Sequence, residues 1–311
     1  MRLHYPLEFS RQEKSFKFMY SLYYSIIARK LGLAKTTDWG VALRKTDGGY
    51  ETILSGKKGV NFSVVENTDE YWFADPLLFS DGGNTWLFVE AFNRRAGKGE
   101  IGVFDIVDGK AENFKVIIDT PTHMSYPFVF KHCGEYFMIP ETGAAHHIAL
   151  YKAKNFPYEW EMDTVLMDKV VYRDHTVTQE EDGTFALLSY KQEGTNRFNM
   201  KNTFTVFKLD MDRRTLTEES EFLDKKQSNR PAGPCFKVNG KEYRVSQKCN
   251  RAYGEAMFVY EIDSDRQYCN DKKVCLFDGN CIKLDKGGKV VLTHTYSQAG
   301  GYEVVDYRCL V

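Results

Sequence analysis

Several things are missing from this 311-residue sequence, and each absence removes a class of function. Charge of one sign is missing: 42 Lys and Arg stand against 43 Asp and Glu, for a net charge of -1. A chain so balanced carries no electrostatic footprint for nucleic acid or polyphosphate. Phosphate-cradling GxxxxGK[ST], a GxGxxG after a strand, the GxSxG elbow and HExxH are all absent. No window comes near the roughly 20 apolar residues that a membrane-spanning helix needs. The first residues, "MRLHYPLEFSRQEKSFKF", are too polar for a secretory leader. Proline is scarce at eight residues. The seven cysteines form no CxxC pair and no zinc spacing, so they read as reduced, small side chains of a cytoplasmic protein. Adjacent histidines in a strand point to opposite faces, so His146 and His147 are poor joint ligands, and neither a metal nor another cofactor is expected.

What the sequence has in quantity is aromatic residues, at 14%, and short β-forming runs. One helical segment comes first. In Ser15–Lys35 apolar residues recur at helical spacing, basic residues gather near the end, and Gly32 marks a stop. An amphipathic helix of this kind either packs on the main domain or gives the protein a peripheral contact with a membrane surface or a partner. From Trp39 onward, runs such as "TWLFVEAF", "GVFDIV", "EYFMIP", "IALYKAK", "FALLSY" and "MFVYEI" alternate with Gly, Asp and Asn turns. That pattern predicts an all-β sandwich, barrel or propeller.

An internal repeat selects the propeller. Phe79 and Glu90 bracket a Gly-containing hairpin. The pairs Phe130 with Glu141, Thr178 with Ser189, and Phe236 with Gln247 do the same at offsets of 51, 99 and 157 residues. A third strand follows each hairpin. A weaker fifth copy is read over about Asn280–Thr295. The expected architecture is a five-bladed β-propeller over residues 38–311, preceded by a helical extension over 1–37. The strand near "WGVALRK" would close the ring beside "GYEVVDY". In the same frame Asp75, Tyr126 and Asp174 are equivalent positions on the channel-lining strands, so their side chains should converge.

The motifs "FADPLLF", "SYPFVF…GEYFMIPET", "LYKAKNFPYEW" and "RPAGPCF…GKEYRVSQ…YGEA" resemble the propeller domain of plant glucosamine inositolphosphorylceramide transferases and its bacterial relatives in surface-polysaccharide assembly. The resemblance covers nearly all of Trp39–Val311. The plant proteins carry a separate glycosyltransferase domain after this one. No such domain follows here before Val311, so transferase activity is not implied. At greater distance the domain is similar to the five-bladed hydrolases of glycoside hydrolase family 43. Those enzymes invert configuration with an Asp base on blade one, a modulating Asp on blade three and a Glu acid on blade four. That similarity implies a base at Asp75 and a modulator at Asp174. The acid position falls in "AGP" and is occupied by Ala232.

An inverting hydrolase needs one protonated carboxyl and one carboxylate, set about 6.5–9.5 Å apart. Glu141 and Glu255 are the candidate substitute acids, with Glu90 at the second-strand position equivalent to Glu141. Trp72, Tyr126 and Tyr253 would offer stacking faces. Glu90, Gln247 and His294 would bind hydroxyls, and Arg230 an anionic sugar or phosphate. The expected function is therefore a carbohydrate-active propeller that binds or processes a sugar or glycoconjugate at the channel mouth, in surface-polysaccharide or glycoconjugate biosynthesis. The residue at Ala232 favours a rival reading, a non-catalytic module that presents glycan to a partner glycosyltransferase. A protein-binding scaffold docked through residues 15–35 is the third reading.

Overall fold

A computed structural model describes residues 36–180, 182–194, 201–266 and 268–311. The amphipathic segment 15–35 lies outside the described residues. Four antiparallel four-stranded sheets follow in chain order, each built from consecutive strands. Blade I comprises Tyr71–Asp81, Asn84–Asn93, Lys98–Val107 and Lys110–Ile118. Blade II comprises Ser125–His132, Glu135–Glu141, His147–Asn155 and Glu159–Asp168. Blade III runs from Tyr172–Gln179 through Phe185–Glu193 and Lys201–Asp210 to Thr215–Leu223. Blade IV has a three-residue first strand, Phe236–Val238, then Lys241–Lys248, Ala256–Glu261 and Lys272–Phe277.

Blade V is assembled from both ends of the described chain. Tyr296–Ala299 and Tyr302–Leu310 form its inner hairpin. Gly40–Lys45 then pairs antiparallel with Tyr302–Leu310, and Val60–Val65 pairs with Gly40–Lys45. This closure, the one expected from "WGVALRK" and "GYEVVDY", makes N-terminal and C-terminal strands neighbours and removes two sheet edges. The fifth copy does not occupy Asn280–Thr295. Its hairpin turns at Gly300–Gly301, and Asn280–Thr295 contributes only short flanking strands. Among the described residues the one α-helix is Glu51–Ser55, inserted between the two N-terminal strands.

The strands alternate as the repeat requires. Inner and middle strands bury Phe73, Leu87, Val89, Phe137, Ile139, Leu187, Phe207, Val245 and Val259, while fourth strands such as Glu159–Asp168 and Thr215–Leu223 are largely exposed. Apolar clusters lie between neighbouring blades. One joins blades II and III through Phe128, Phe130, Phe185 and Phe207, and another joins blades IV and V through Phe236, Met257, Phe277 and Tyr296.

A carboxylate cluster where five blades meet

Each of the first three blades breaks its register at the same place. Pairing slips between Ala74 and Leu77, between Ser125 and Phe128, and between Arg173 and Thr176. The residue that absorbs each slip is Asp75, Tyr126 or Asp174, with φ of 47°, 47° and 49°. A left-handed conformation costs an L-residue about 1–2 kcal/mol. Tyrosine rarely accepts it, whereas aspartate tolerates it better. Three identical bulges at three equivalent positions confirm the repeat. They also aim side chains that a regular strand would have turned elsewhere. In blade IV the special residue is Gly233, at φ 146°. A Cβ there would stand 1.9 Å from the carbonyl oxygen of Tyr296, so no side chain fits. Its neighbour Ala232 is fully buried in the apolar cluster between blades IV and V. Blade IV therefore offers no carboxyl at either residue.

Asp174 is the most firmly held member. Both of its oxygens accept from Arg230, through Nε to Oδ2 and Nη2 to Oδ1, the latter at 3.1 Å. Gln247 Nε2 donates to Oδ2 at 2.6 Å and to the Pro231 carbonyl at 3.0 Å. Burial works against ionisation here, but the Arg230 charge and these hydrogen bonds win, and the Asp174 pKa lies below its ordinary value. Glu141 accepts from Arg173 Nη1 at 3.0 Å and from the Asp174 N–H at 3.3 Å. Burial and the Asp174 charge push it up to about 8, against the pull of Arg230 and Arg173.

Asp75 sits opposite blade V. It accepts from Thr295 Oγ1 at 2.9 Å and lies 3.3 Å from His294 Nε2. The other imidazole nitrogen, Nδ1, is 2.6 Å from Asp306 Oδ2, while Asp306 Oδ1 accepts the backbone N–H groups of His294 and Thr295. Burial opposes a charge on this imidazole, yet Asp306 and Asp75 together raise its pKa. Asp75, His294 and Asp306 have the proximity of a metal site, with ligand atoms within 4.8 Å of one another. Both imidazole nitrogens face carboxylates, however, which suits an imidazolium clamped between them. Burial moves Asp75 up to about 6, with His294 opposing the shift and Asp174 adding to it.

Exposure rises outward from this cluster. The side chains of Asp174 and Asp75 are 1% and 4% exposed, those of Glu141 and Glu90 5% and 9%, Arg230 13%, and Arg173 and His123 37% and 38%. Tyr253, 48% exposed, lies at the rim with its ring 5.1 Å from the Arg230 guanidinium and edge-on to His294 at 4.9 Å. On the other side Trp72 stacks on Phe92 at 4.4 Å, and Phe92 reaches the His123 ring. Acidic groups thus form a deep floor, and arginine, histidine and aromatic side chains form its mouth. The large surface clefts lie elsewhere, one beside the blade III and IV hairpin turns and one beside the Glu51–Ser55 helix.

The residues expected from sequence separate into three groups. Asp75, Glu90, Glu141, Asp174, Arg230, Gln247 and His294 come together, with Trp72 and Tyr253 near the rim. Tyr126 comes to the same place but is fully buried. Its hydroxyl bonds Thr176 Oγ1 at 2.9 Å, and its ring offers no face to stack on. Glu255 is not brought in. It pairs with Lys248 and, at 2.9 Å, with Arg251, and lines a separate cleft beside Asn280 and Lys289. Two participants escaped the sequence reading, Asp306 and His123, while Arg173, beside Asp174 in the sequence, forms a salt bridge with Glu141. Asp306 occupies in blade V the second-strand layer of Glu90 and Glu141. Aligning the fifth copy on the "AGGY" turn would have found it. His123 precedes blade II outside any repeated motif and left no signal.

Fold and site together define a five-bladed propeller with a buried carboxylate cluster where its blades converge, and the family match below makes it carbohydrate-related. The chain belongs to the family described as glucosamine inositolphosphorylceramide transferase 1, N-terminal, whose model matches residues 61–275. It is 32% identical over 199 residues to glucosamine inositolphosphorylceramide transferase 1 of Oryza sativa subsp. indica, covering 61% of this chain and 26% of that protein. The Arabidopsis thaliana protein of the same name is 29% identical over 197 residues. The chain thus spans about a quarter of the length of the curated relatives it matches. Solved structures with the same fold include a thermostable family-43 glycoside hydrolase, with TM-score 0.55 and 13% identity, covering 80% of this chain and 91% of that one. The α-L-arabinofuranosidase of Podospora anserina in complex with cellotriose gives TM-score 0.57 at 10% identity, covering 81% and 97%.

Proposed function

We propose that this propeller binds the end of a glycan or glycoconjugate chain over the carboxylate floor and processes it there, with Asp75 as base and Asp174 as the fixed charge that orients the sugar. One observation carries this reading. Bulges on separate blades deliver two aspartates to one place, and their surroundings drive the two pKa values apart. Asp174, locked by Arg230 and Gln247, can only hold charge. Asp75, with a carboxyl poised nearer neutrality, can take a proton. Nearly buried carboxyls beneath more exposed aromatic and cationic side chains suit a chain end better than the middle of a polymer. Tyr253 and Trp72 would stack on sugar faces; the relatives' name, glucosamine inositolphosphorylceramide transferase 1, supports a role in glycoconjugate assembly, with a partner glycosyltransferase as the proposed recipient.

The rival reading, a module that presents glycan without cleaving it, draws support from blade IV, where Ala232 and Gly233 supply no acid. Binding is common to both readings, and an immobilised glycan panel tests it. The protein should retain a subset of glycans, and Asp75→Asn should weaken that retention at least about tenfold, the cost of one charge-assisted hydrogen bond. Equal retention by both proteins would remove Asp75 from the site.

A further inference from the structure

We propose that Glu90 is the proton donor of this site, supplying from blade I the acid that blade IV lacks. The proposal rests on the reading of Asp75 as base. Glu90 pairs with Ala74 across the first hairpin, so it stands beside the Asp75 bulge on the same blade. What separates it from the other carboxyls is its partners. Asp174 is saturated by Arg230 and Gln247. Glu141 is engaged by Arg173 and the Asp174 N–H, and Asp75 by Thr295 and His294. Among the described residues Glu90 faces only His123, whose Nε2 is 3.6 Å from Oε1. A general acid must keep its O–H free to meet the leaving oxygen, and this is the carboxyl with that freedom.

His123 fixes the proton inventory. Its Nδ1 accepts the Gly99 N–H at 2.8 Å, so the ring hydrogen sits on Nε2, toward Glu90. A second proton would break that bond. Burial and the Arg173 charge also keep the His123 pKa below the ordinary histidine value. Glu90 therefore faces a neutral imidazole and no cation. Burial, reinforced by Asp75, Glu141, Asp174 and Asp306, raises its pKa. Space for the pair comes from Gly99, where a Cβ would approach Glu90 Oε1 to 2.8 Å and the Met124 carbonyl oxygen to 2.4 Å.

The step balances without a cofactor. The Glu90 proton passes to the glycosidic oxygen as the bond from the anomeric carbon to that oxygen breaks. A water on the opposite face attacks the anomeric carbon and gives its proton to Asp75. The products are a free sugar and an alcohol, with Glu90 ionised and Asp75 protonated. Exchange with solvent past half-exposed His123 resets both.

Two measurements test the assignment. Infrared spectroscopy near neutral pH should show carbonyl absorption of protonated carboxyls, Glu141 among them, and part of that absorption should disappear in Glu90→Gln. That variant keeps the volume and neutrality of the protonated acid, so its thermal midpoint should match the parent's. No loss of band intensity in the variant overturns the proposal. In turnover of phenyl and dinitrophenyl glycosides, Glu90→Gln should lower kcat/KM for the phenyl substrates on the order of 10²–10⁴-fold. It should largely spare the dinitrophenyl substrates, whose leaving group needs no proton. Equal losses on both overturn the proposal. So does a parent protein that binds glycan yet releases phenol from no aryl glycoside, an outcome that leaves glycan binding intact. Absence of both binding and turnover overturns the underlying reading of the site as well.

Discussion

Removing the Arg230 guanidinium is the most direct way to test how this site is held together. The Arg230 side chain is 13% exposed and its partner Asp174 1%, so both charges depend on each other rather than on water. Arg230→Met keeps the aliphatic stem and deletes the charge. Asp174 would keep Gln247 alone, and Glu141 would keep Arg173. Stranding one member of a buried ion pair costs about 3–5 kcal/mol. At about 2 °C per kcal/mol for a domain of this size, the thermal midpoint should fall by about 6–10 °C. The decisive arm is a double-mutant cycle. In an Asp174→Asn background no charge is stranded, and Arg230→Met should cost at least about 2 kcal/mol less. Dependence on pH gives an independent check. Arg230 holds the Asp174 pKa below its ordinary value of 3.8, so this contribution is present above that pH and is lost as pH falls through the folded-state value. The deficit of Arg230→Met should therefore shrink in acid. Urea unfolding at several pH values reads both effects. Additive costs in the cycle, or a deficit unchanged by acid, would refute the claim that Arg230 acts through Asp174.

Two further outcomes follow from the same geometry. Gly99→Ala forces a Cβ against the Met124 carbonyl and Glu90 Oε1. It should destabilise by about 1–3 kcal/mol in urea, as overpacking does, and weaken the infrared signal of Glu90. Glu141 and Asp75 both have raised folded-state pKa values, about 8 and about 6 against ordinary values of 4.5 and 3.8. Their contribution to stability is complete below the ordinary values and is lost as pH rises through about 6 and then about 8. Glu141→Gln should flatten the upper part of that decline, and an unchanged slope in urea unfolding between about pH 6 and 8 would exclude Glu141 as its source.

The sequence announced the fold through a property of propellers. Each blade is a copy, so Phe79, Phe130 and Phe236 with their second-strand partners could be aligned without reference to any other protein. The same alignment brought Asp75, Tyr126 and Asp174 to one place, because equivalent positions on inner strands face one axis. It could not say what each would do there. Tyr126 was expected to stack on sugar because aromatic rings line sugar sites, yet its bulge turns the ring inward, where its hydroxyl bonds Thr176. Glu255 was expected near the site because it follows Tyr253. Two basic neighbours, Lys248 and Arg251, hold it away. Blade V was the hardest to read. Its strands come from both ends of the chain, so its copy had no continuous register to match, and Asp306 was missed with it.

Blade IV contributes to the cluster differently from blades I–III. Its first strand is only Phe236–Val238, and ahead of it Arg230 reaches back to Asp174 while Gly233 presses against the Tyr296 carbonyl. Blade IV thus supplies a cation to the cluster instead of a carboxyl. That exchange changes what the remaining acids do. With Arg230 fixed on Asp174 and Arg173 on Glu141, those two carboxyls have cationic partners, and the proposed proton transfers fall to Asp75 and Glu90. Both lie on blade I, joined by the Ala74–Glu90 pair. A catalytic pair carried by one hairpin needs no carboxyl from blade IV, so Ala232 by itself does not decide between cleavage and mere binding. The decision rests on whether Glu90 holds its proton at neutral pH.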